Sequence, residues 1–184
     1  MVYSLLLYYS SWERKMPDKA IVKAIENDDY IGVKQAIKKG ADLEQIVENE
    51  LNENEESLLF YALHRKCTLD TIKLLIESGV DIYKCDPEGV SFLDEAIVTG
   101  NLELVRMLVE EKGMDVNKTQ RKSGFTPLMQ AACYGYTDIV EFLLAKGADI
   151  DARDASDLDV FDYVRKLQRK KMQTFLETYR EKGV

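Results

Sequence analysis

One histidine, three cysteines, three prolines and a single tryptophan leave little for several kinds of chemistry to be built from. Most metalloenzyme and catalytic-triad schemes fall away with only His64 to serve as ligand or base. Cys67, Cys85 and Cys133 are odd in number, widely spaced and form no Cys-x-x-Cys pair, so neither a zinc ribbon nor a dithiol redox centre is supported. Free thiols fit a reducing, cytoplasmic compartment. Three prolines and ten glycines are sparse turn chemistry for an all-β sandwich and favour helices. Basic residues are outnumbered, 25 Lys+Arg against 33 Asp+Glu, and the net charge of -8 disfavours a general nucleic-acid binder. Long apolar runs are lacking too. Residues 2–9, VYSLLLYY, are too short to span a bilayer. No Lys or Arg precedes them and Trp12, Glu13, Arg14 and Lys15 follow, which argues against a secretory signal. Residues 1–16 therefore read as an N-terminal extension: a segment lying on the first unit, or a stretch upstream of a start at Met16.

What the chain does have is a hydrophobic fraction of 46 %, enough to fold, and an internal repeat. IKKGADLE at Gly40, IESGVDIY at Gly79, VEEKGMDVN at Gly113 and LAKGADID at Gly147 recur at separations of 39, 34 and 34 residues. Ahead of the later glycines stand ESLLFYAL from Glu56, VSFLDEAI from Val90 and FTPLMQAA from Phe125, with a degenerate copy, LDVFDYVR, from Leu158. In the clearest copy Leu128, Ala131 and Ala132 lie at helical spacing, as do Ile139, Val140, Leu143 and Leu144. Thr126-Pro127 is a helix start, and Gly135 and Gly147 permit the positive φ that ends one. Each copy reads as helix–turn–helix–turn, with apolar faces that need a neighbour on both sides.

The stretch at residues 124–151, GFTPLMQAACYGYTDIVEFLLAKGADID, resembles the ankyrin repeat family, and the resemblance extends over residues 17–180. It implies an all-α ankyrin repeat solenoid of helix-turn-helix units joined by β-turn or hairpin fingers. The expected domain covers residues 17–182: a cap at 17–43, repeats at about 54–83, 88–117 and 123–152, and a C-terminal cap at 154–182. The histidine that follows Thr-Pro-Leu in the family is replaced by Phe60, Asp94, Met129 and Asp162, so its usual hydrogen bond is not expected. A less idealised, less stable array than a consensus one should result.

The first connecting finger is five residues longer than the regular ones and holds seven acids between Gly40 and His64 with no Lys or Arg. It is either a solvated loop or a negative finger that steers a basic partner. A calcium loop lacks its Asp-x-Asp-x-Asp-Gly spacing. At the other end Arg165, Lys166, Arg169, Lys170 and Lys171 form a basic run, either the polar face of a capping helix or a contact for an acidic partner or nucleic acid. His64 beside Arg65 has no nucleophile tied to it by spacing, and Asp149, Asp151, Asp154, Asp157 and Asp159 fall at turn and cap positions of the register.

The resemblance implies binding of a protein partner through the concave face and finger tips. By register this surface takes in Glu53, Glu56 and Arg65; Glu88, Val90 and Thr99; Lys122, Phe125 and Tyr134; and Leu158. The expected protein is a monomeric, cytoplasmic scaffold or adaptor without catalysis, cofactor, metal, small-molecule substrate, nucleic-acid partner or membrane span. The alternative is an inhibitor or immunity-type protein that masks a basic site on its target with the acidic first finger.

Overall fold

The structure, a computed structural model, describes residues 18–49 and 54–182. The N-terminal extension and Glu53 lie outside the described residues. The chain divides into two compact units between Asp81 and Ile82.

In the first unit, α1 (Lys19–Glu26) and α2 (Tyr30–Lys38) are followed by the hairpin β1 (Ile46–Asn49) and β2 (Asn54–Ser57), then α3 (Leu58–His64) and α4 (Leu69–Glu77). Short polar side chains start three of the helices: Asp18 accepts from the Ala20 N–H, Asp29 from Gly32 and Ser57 from Phe60. α1 packs on α2 and α3, and α2 on α4, around Ile21, Ile25, Leu58, Leu59, Ile72 and Leu75. The long first finger is an antiparallel hairpin in the register Ile46↔Ser57, Val47↔Glu56, Glu48↔Glu55.

In the second unit come α5 (Phe92–Val98), α6 (Leu102–Arg106), α7 (Pro127–Tyr134), α8 (Thr137–Ala145), α9 (Val160–Lys166) and α10 (Lys170–Lys182). α7 packs against both α5 and α9, α6 lies on α8, and α9 lies on α10. Phe92, Ile97, Leu104, Leu108, Leu128 and Met129 are fully buried there. Thr126 accepts from the Met129 N–H with Pro127 at the first helical position, as its sequence suggests. α10 is fastened by Arg180, whose guanidinium lies 4.1 Å from the Phe161 ring and is bonded to Asp151.

The backbone records the repeat. Asp28, Lys66, Gly100, Gly135 and Gln168 all have positive φ, each at the end of the first helix of a pair. Four of the residues that follow donate an N–H five residues back, Asp29 to Ala24, Cys67 to Ala62, Tyr136 to Ala131 and Arg169 to Val164. The side chain after the turn then reaches the preceding helix pair. Within the first unit Cys67 Sγ donates to the Ile25 carbonyl, and within the second Tyr136 donates its hydroxyl to the Val98 carbonyl.

One helix carries an extra residue. Counted back from the closing glycine, a buried leucine stands four residues earlier at Leu75 and Leu143 but five earlier at Leu108. α6 absorbs the insertion as a π-helical turn over Met107–Glu111, and Tyr83 donates its hydroxyl to the Lys112 carbonyl at the turn's end, at 2.6 Å.

Finger geometry depends on small polar and glycine residues. Asp86 Oδ1 accepts from the N–H groups of Glu88 and Val90, and Asp154 Oδ1 from those of Ser156 and Leu158. Gly89 sits at φ +82 in such a turn, where a Cβ would lie 2.3 Å from the Gln120 carbonyl oxygen of the next finger. Gly147, at φ +86, faces open space. Both Gly→Ala changes meet the left-handed penalty of about 1 kcal/mol, but Gly89→Ala must also displace backbone. Urea titration should show Gly89→Ala losing at least about 2 kcal/mol and Gly147→Ala about half of that.

Candidate partner-binding surface

In the second unit the fingers lead into the N-terminal ends of α5, α7 and α9, which are capped by Ser91, Thr126 and Asp159, while Thr99 and Tyr134 stand at the C-terminal ends of α5 and α7. Glu88 and Lys122 are exposed on finger tips, while Val90 and Leu158 are half-buried. Thr99 is exposed at the end of α5, its hydroxyl donating to the Ala96 carbonyl. Tyr134 is 46 % exposed and stacks on Tyr136 at 5.6 Å with the planes 7° apart. Tyr136 is held from below: a Cβ at Gly100 would lie 2.9 Å from its ring, so glycine makes the room. Phe125 is half-buried rather than free, edge-on to Tyr163 at 4.9 Å with the Arg121 guanidinium 5.7 Å from its ring. Tyr163 in turn donates to Asp154 Oδ2 at 2.5 Å, a bond that pushes its phenol up to about 12 and holds the Asp154 carboxyl below its usual range. Phe125, Tyr163 and Asp154 thus lock two fingers onto α9.

The first unit treats its predicted residues differently. Glu56 was expected at the surface, but in the Val47↔Glu56 register it turns to the covered face of the hairpin and is 9 % exposed. His64 Nδ1 lies 2.8 Å from Glu56 Oε2, so this carboxylate is engaged inside the unit and does not face a partner. Arg65 is half-buried, its guanidinium 5.6 Å from the Tyr61 ring. On the open face of the hairpin Glu48 and Glu55 stand directly opposite one another, both exposed.

Sequence reading missed a buried charge cluster. Asp94 and Asp162, in the places of the family histidine, close capping boxes with Ser91 and Asp159. Asp94 is completely buried; the Ser91 N–H and hydroxyl both donate to its Oδ2, and Arg121 Nη2 lies 3.7 Å from Oδ1. Arg121 also donates to Gln130 Oε1 at 2.7 Å. Desolvation raises the Asp94 pKa, and Arg121 and Ser91 oppose that rise only in part. Ser91-x-x-Asp94 was the available signal for the cap; nothing in the spacing announces Arg121 as its partner.

The cysteines are half-buried and unbridged. Burial pushes the Cys67 thiol up to about 12, helped by Asp28, and raises Cys85 and Cys133 as well. Thiolate is the reactive form, so iodoacetamide at pH 8 should modify all three at least about tenfold more slowly in the native chain than in urea, with Cys67 slowest by mass spectrometry. A cleft of about 170 Å³ is lined by Tyr83, Cys85, Ser91, Met114, Lys118 and Gln120 among others. That is below the ~300 Å³ at which pockets for drug-sized ligands begin. Among the described residues no three His, Cys, Asp or Glu side chains are grouped to hold a metal ion, and no helix is long and apolar enough to cross a membrane.

Comparison with known proteins agrees with this architecture. The family model described as ankyrin repeats (three copies) matches residues 21–120 and 59–154. Ankyrin repeat and SAM domain-containing protein 6 of Rattus norvegicus is 44 % identical over 77 residues, 42 % of this chain and 9 % of that protein. Protein phosphatase 1 regulatory subunit 27 of Mus musculus is 40 % identical over 95 residues, 51 % of this chain and 52 % of that protein. E3 ubiquitin-protein ligase hecd-1 of Caenorhabditis elegans is 41 % identical over 91 residues, 49 % of this chain and 3 % of that protein. The chain therefore spans about half or less of each of these relatives. It belongs to the ankyrin repeat family, with the mostly helical fold of that family. Ankyrin repeats are generally protein–protein interaction modules and generally non-catalytic.

Proposed function

We propose that the protein is a cytoplasmic, monomeric, non-catalytic adaptor whose second unit binds a protein partner through its finger tips and the ends of α5, α7 and α9. The observation that carries this reading is Tyr134: an aromatic side chain 46 % exposed, stacked on Tyr136 and thereby held in one orientation. A rigid aromatic with little entropy left to lose is a common energetic centre of a protein interface. Glu88, Thr99 and Lys122 supply a polar rim, with Val90 and Leu158 between fingers. Phe125 serves mainly to fix the fingers, because Tyr163 and Arg121 already occupy its ring. The regulatory-subunit name of one relative supports a role exerted on another protein.

Capture from a lysate of the native source, read by quantitative mass spectrometry, tests this. Tyr134→Ala/Lys122→Glu should lose the specific prey at least about tenfold while retaining its circular dichroism and thermal midpoint. Glu141→Lys/Ala145→Arg, on the exposed side of α8, should keep it. Equal prey from both variants would remove this surface from the function.

The second reading, an inhibitor whose acidic hairpin masks a basic site, draws on Glu48 and Glu55. Glu48 and Glu55 set two carboxylates side by side on the open face of the hairpin, and that negative face attracts a cationic group. Glu48→Lys/Glu55→Lys should slow association and flatten its salt dependence if the hairpin steers the partner. Unchanged association kinetics would exclude it.

A further inference from the structure

We propose that the junction of α9 and α10, together with the Tyr134–Tyr136 pair, is the docking site for an acidic segment of a partner protein. This rests on the reading that the second unit binds a protein, and it names the chemistry that the partner carries. Arg165, Lys166, Arg169, Lys170 and Lys171 place five cations in seven residues, and all five are exposed. The chain reverses at Gln168, φ 54, where the Arg169 N–H donates to the Val164 carbonyl. That reversal lays the Arg169 guanidinium over Gly135, where a Cβ would lie 3.0 Å from Nη1. Gly135 is the residue between the two stacked tyrosines. The cationic run and the aromatic pair, 29 residues apart in sequence at their nearest, therefore adjoin in space through Arg169.

The fold accounts for only part of this cluster: Arg165 and Lys166 end α9, where the helix dipole favours cations. Arg165 is paired with Asp162 at 3.0 Å, but among the described residues the other four cations form no ion pair. Arg169, Lys170 and Lys171 crowd the start of α10, whose first turn holds no acidic residue. Cations at that end of a helix are disfavoured by its dipole. Leu167, 52 % exposed in the same turn, adds apolar surface beside the charge. Carboxylates of an extended peptide answer the lysines and arginines, and an apolar or aromatic side chain among them answers Tyr134 and Leu167. A polynucleotide fits less well. The exposed acids Asp138, Asp149, Asp151 and Asp157 lie in the same unit, and their charge opposes a long polyanion more than a short peptide.

Fluorescence anisotropy with the full chain tests the proposal. The probe is a labelled peptide of six glutamates flanking one tryptophan; its six-lysine analogue, a single-stranded oligonucleotide of equal charge and phosphatidylserine vesicles are run beside it. The acidic peptide should bind, and more weakly as salt rises. Lys166→Glu/Lys170→Glu, whose side chains make no ion pair or hydrogen bond within the described residues, should weaken it about tenfold or more. Tyr134→Ala should weaken it about fivefold. Absent binding, binding unchanged by the charge reversal, or tighter binding of the oligonucleotide or vesicles would overturn the proposal. Lysate prey that still depends on Tyr134 and Lys122, when the acidic peptide does not bind, would show that only the acidic specificity fails.

Discussion

Asp94→Ala is expected to lower the stability of the second unit by about 3–5 kcal/mol, because it leaves the Arg121 guanidinium and the Ser91 N–H and hydroxyl without their acceptor in a largely dry site. It also deletes the reciprocal cap with Ser91, which by itself contributes about 1 kcal/mol. Arg121→Met should cost a similar amount for the mirrored reason. The double variant Asp94→Met/Arg121→Met should recover most of the loss, since a buried pair is often matched by apolar side chains of like volume. Urea unfolding of the four proteins closes the cycle, and strictly additive losses would contradict the pairing. The pH dependence has a definite sign. A carboxyl whose folded pKa is raised binds its proton more tightly in the native state. The stability it contributes is therefore complete below the unfolded carboxylate range, about pH 4, and is lost as pH rises through the higher folded value. Relative to the double variant, the wild-type chain should be at its most stable near pH 4 and should weaken towards neutrality.

Phe92→Ala should destabilise by about 3–5 kcal/mol. The ring is fully buried at the first position of α5, a place taken in the other copies by Leu58, Pro127 and Val160. No rearrangement of a single neighbour fills the space of a phenyl group in a close-packed layer. In a repeat array stability is a sum of local terms, so the loss should be unevenly distributed. Hydrogen exchange should quicken in α5 through α7 well before it does in α1 and α2. Uniform acceleration along the chain would mean that the two units unfold as one body.

Most of the fold was legible because its signals are local and repeated. The glycine register, the Thr126-Pro127 start and the helical spacing of Leu128, Ala131 and Ala132 each report a backbone requirement that few residues meet. The departures were legible as departures but not in their consequence. Asp94 in the histidine's place could be seen; that it closes a cap and faces Arg121 could not, since the pair is joined by packing rather than by spacing. The extra residue of the repeat at 88–117 was countable, yet its absorption as a π-helical turn under Tyr83 depends on a contact across 29 residues. Surface residues fared least well. Glu56 and Phe125 were expected on the binding surface, but alternation in the hairpin turned one inward and Tyr163 packs against the other. The approach of Arg169 to the tyrosine pair follows from the φ of Gln168, which composition does not reveal.

The central claim is that the finger tips and helix ends of the second unit are where a partner sits. Photo-crosslinking from the native source tests it most directly, with benzoylphenylalanine placed at position 134 in one preparation and at position 141 in another. A discrete crosslinked protein from position 134, competed by unmodified chain and absent from position 141, is the predicted result. Crosslinks from position 141 alone, or the same product from both, would contradict the account.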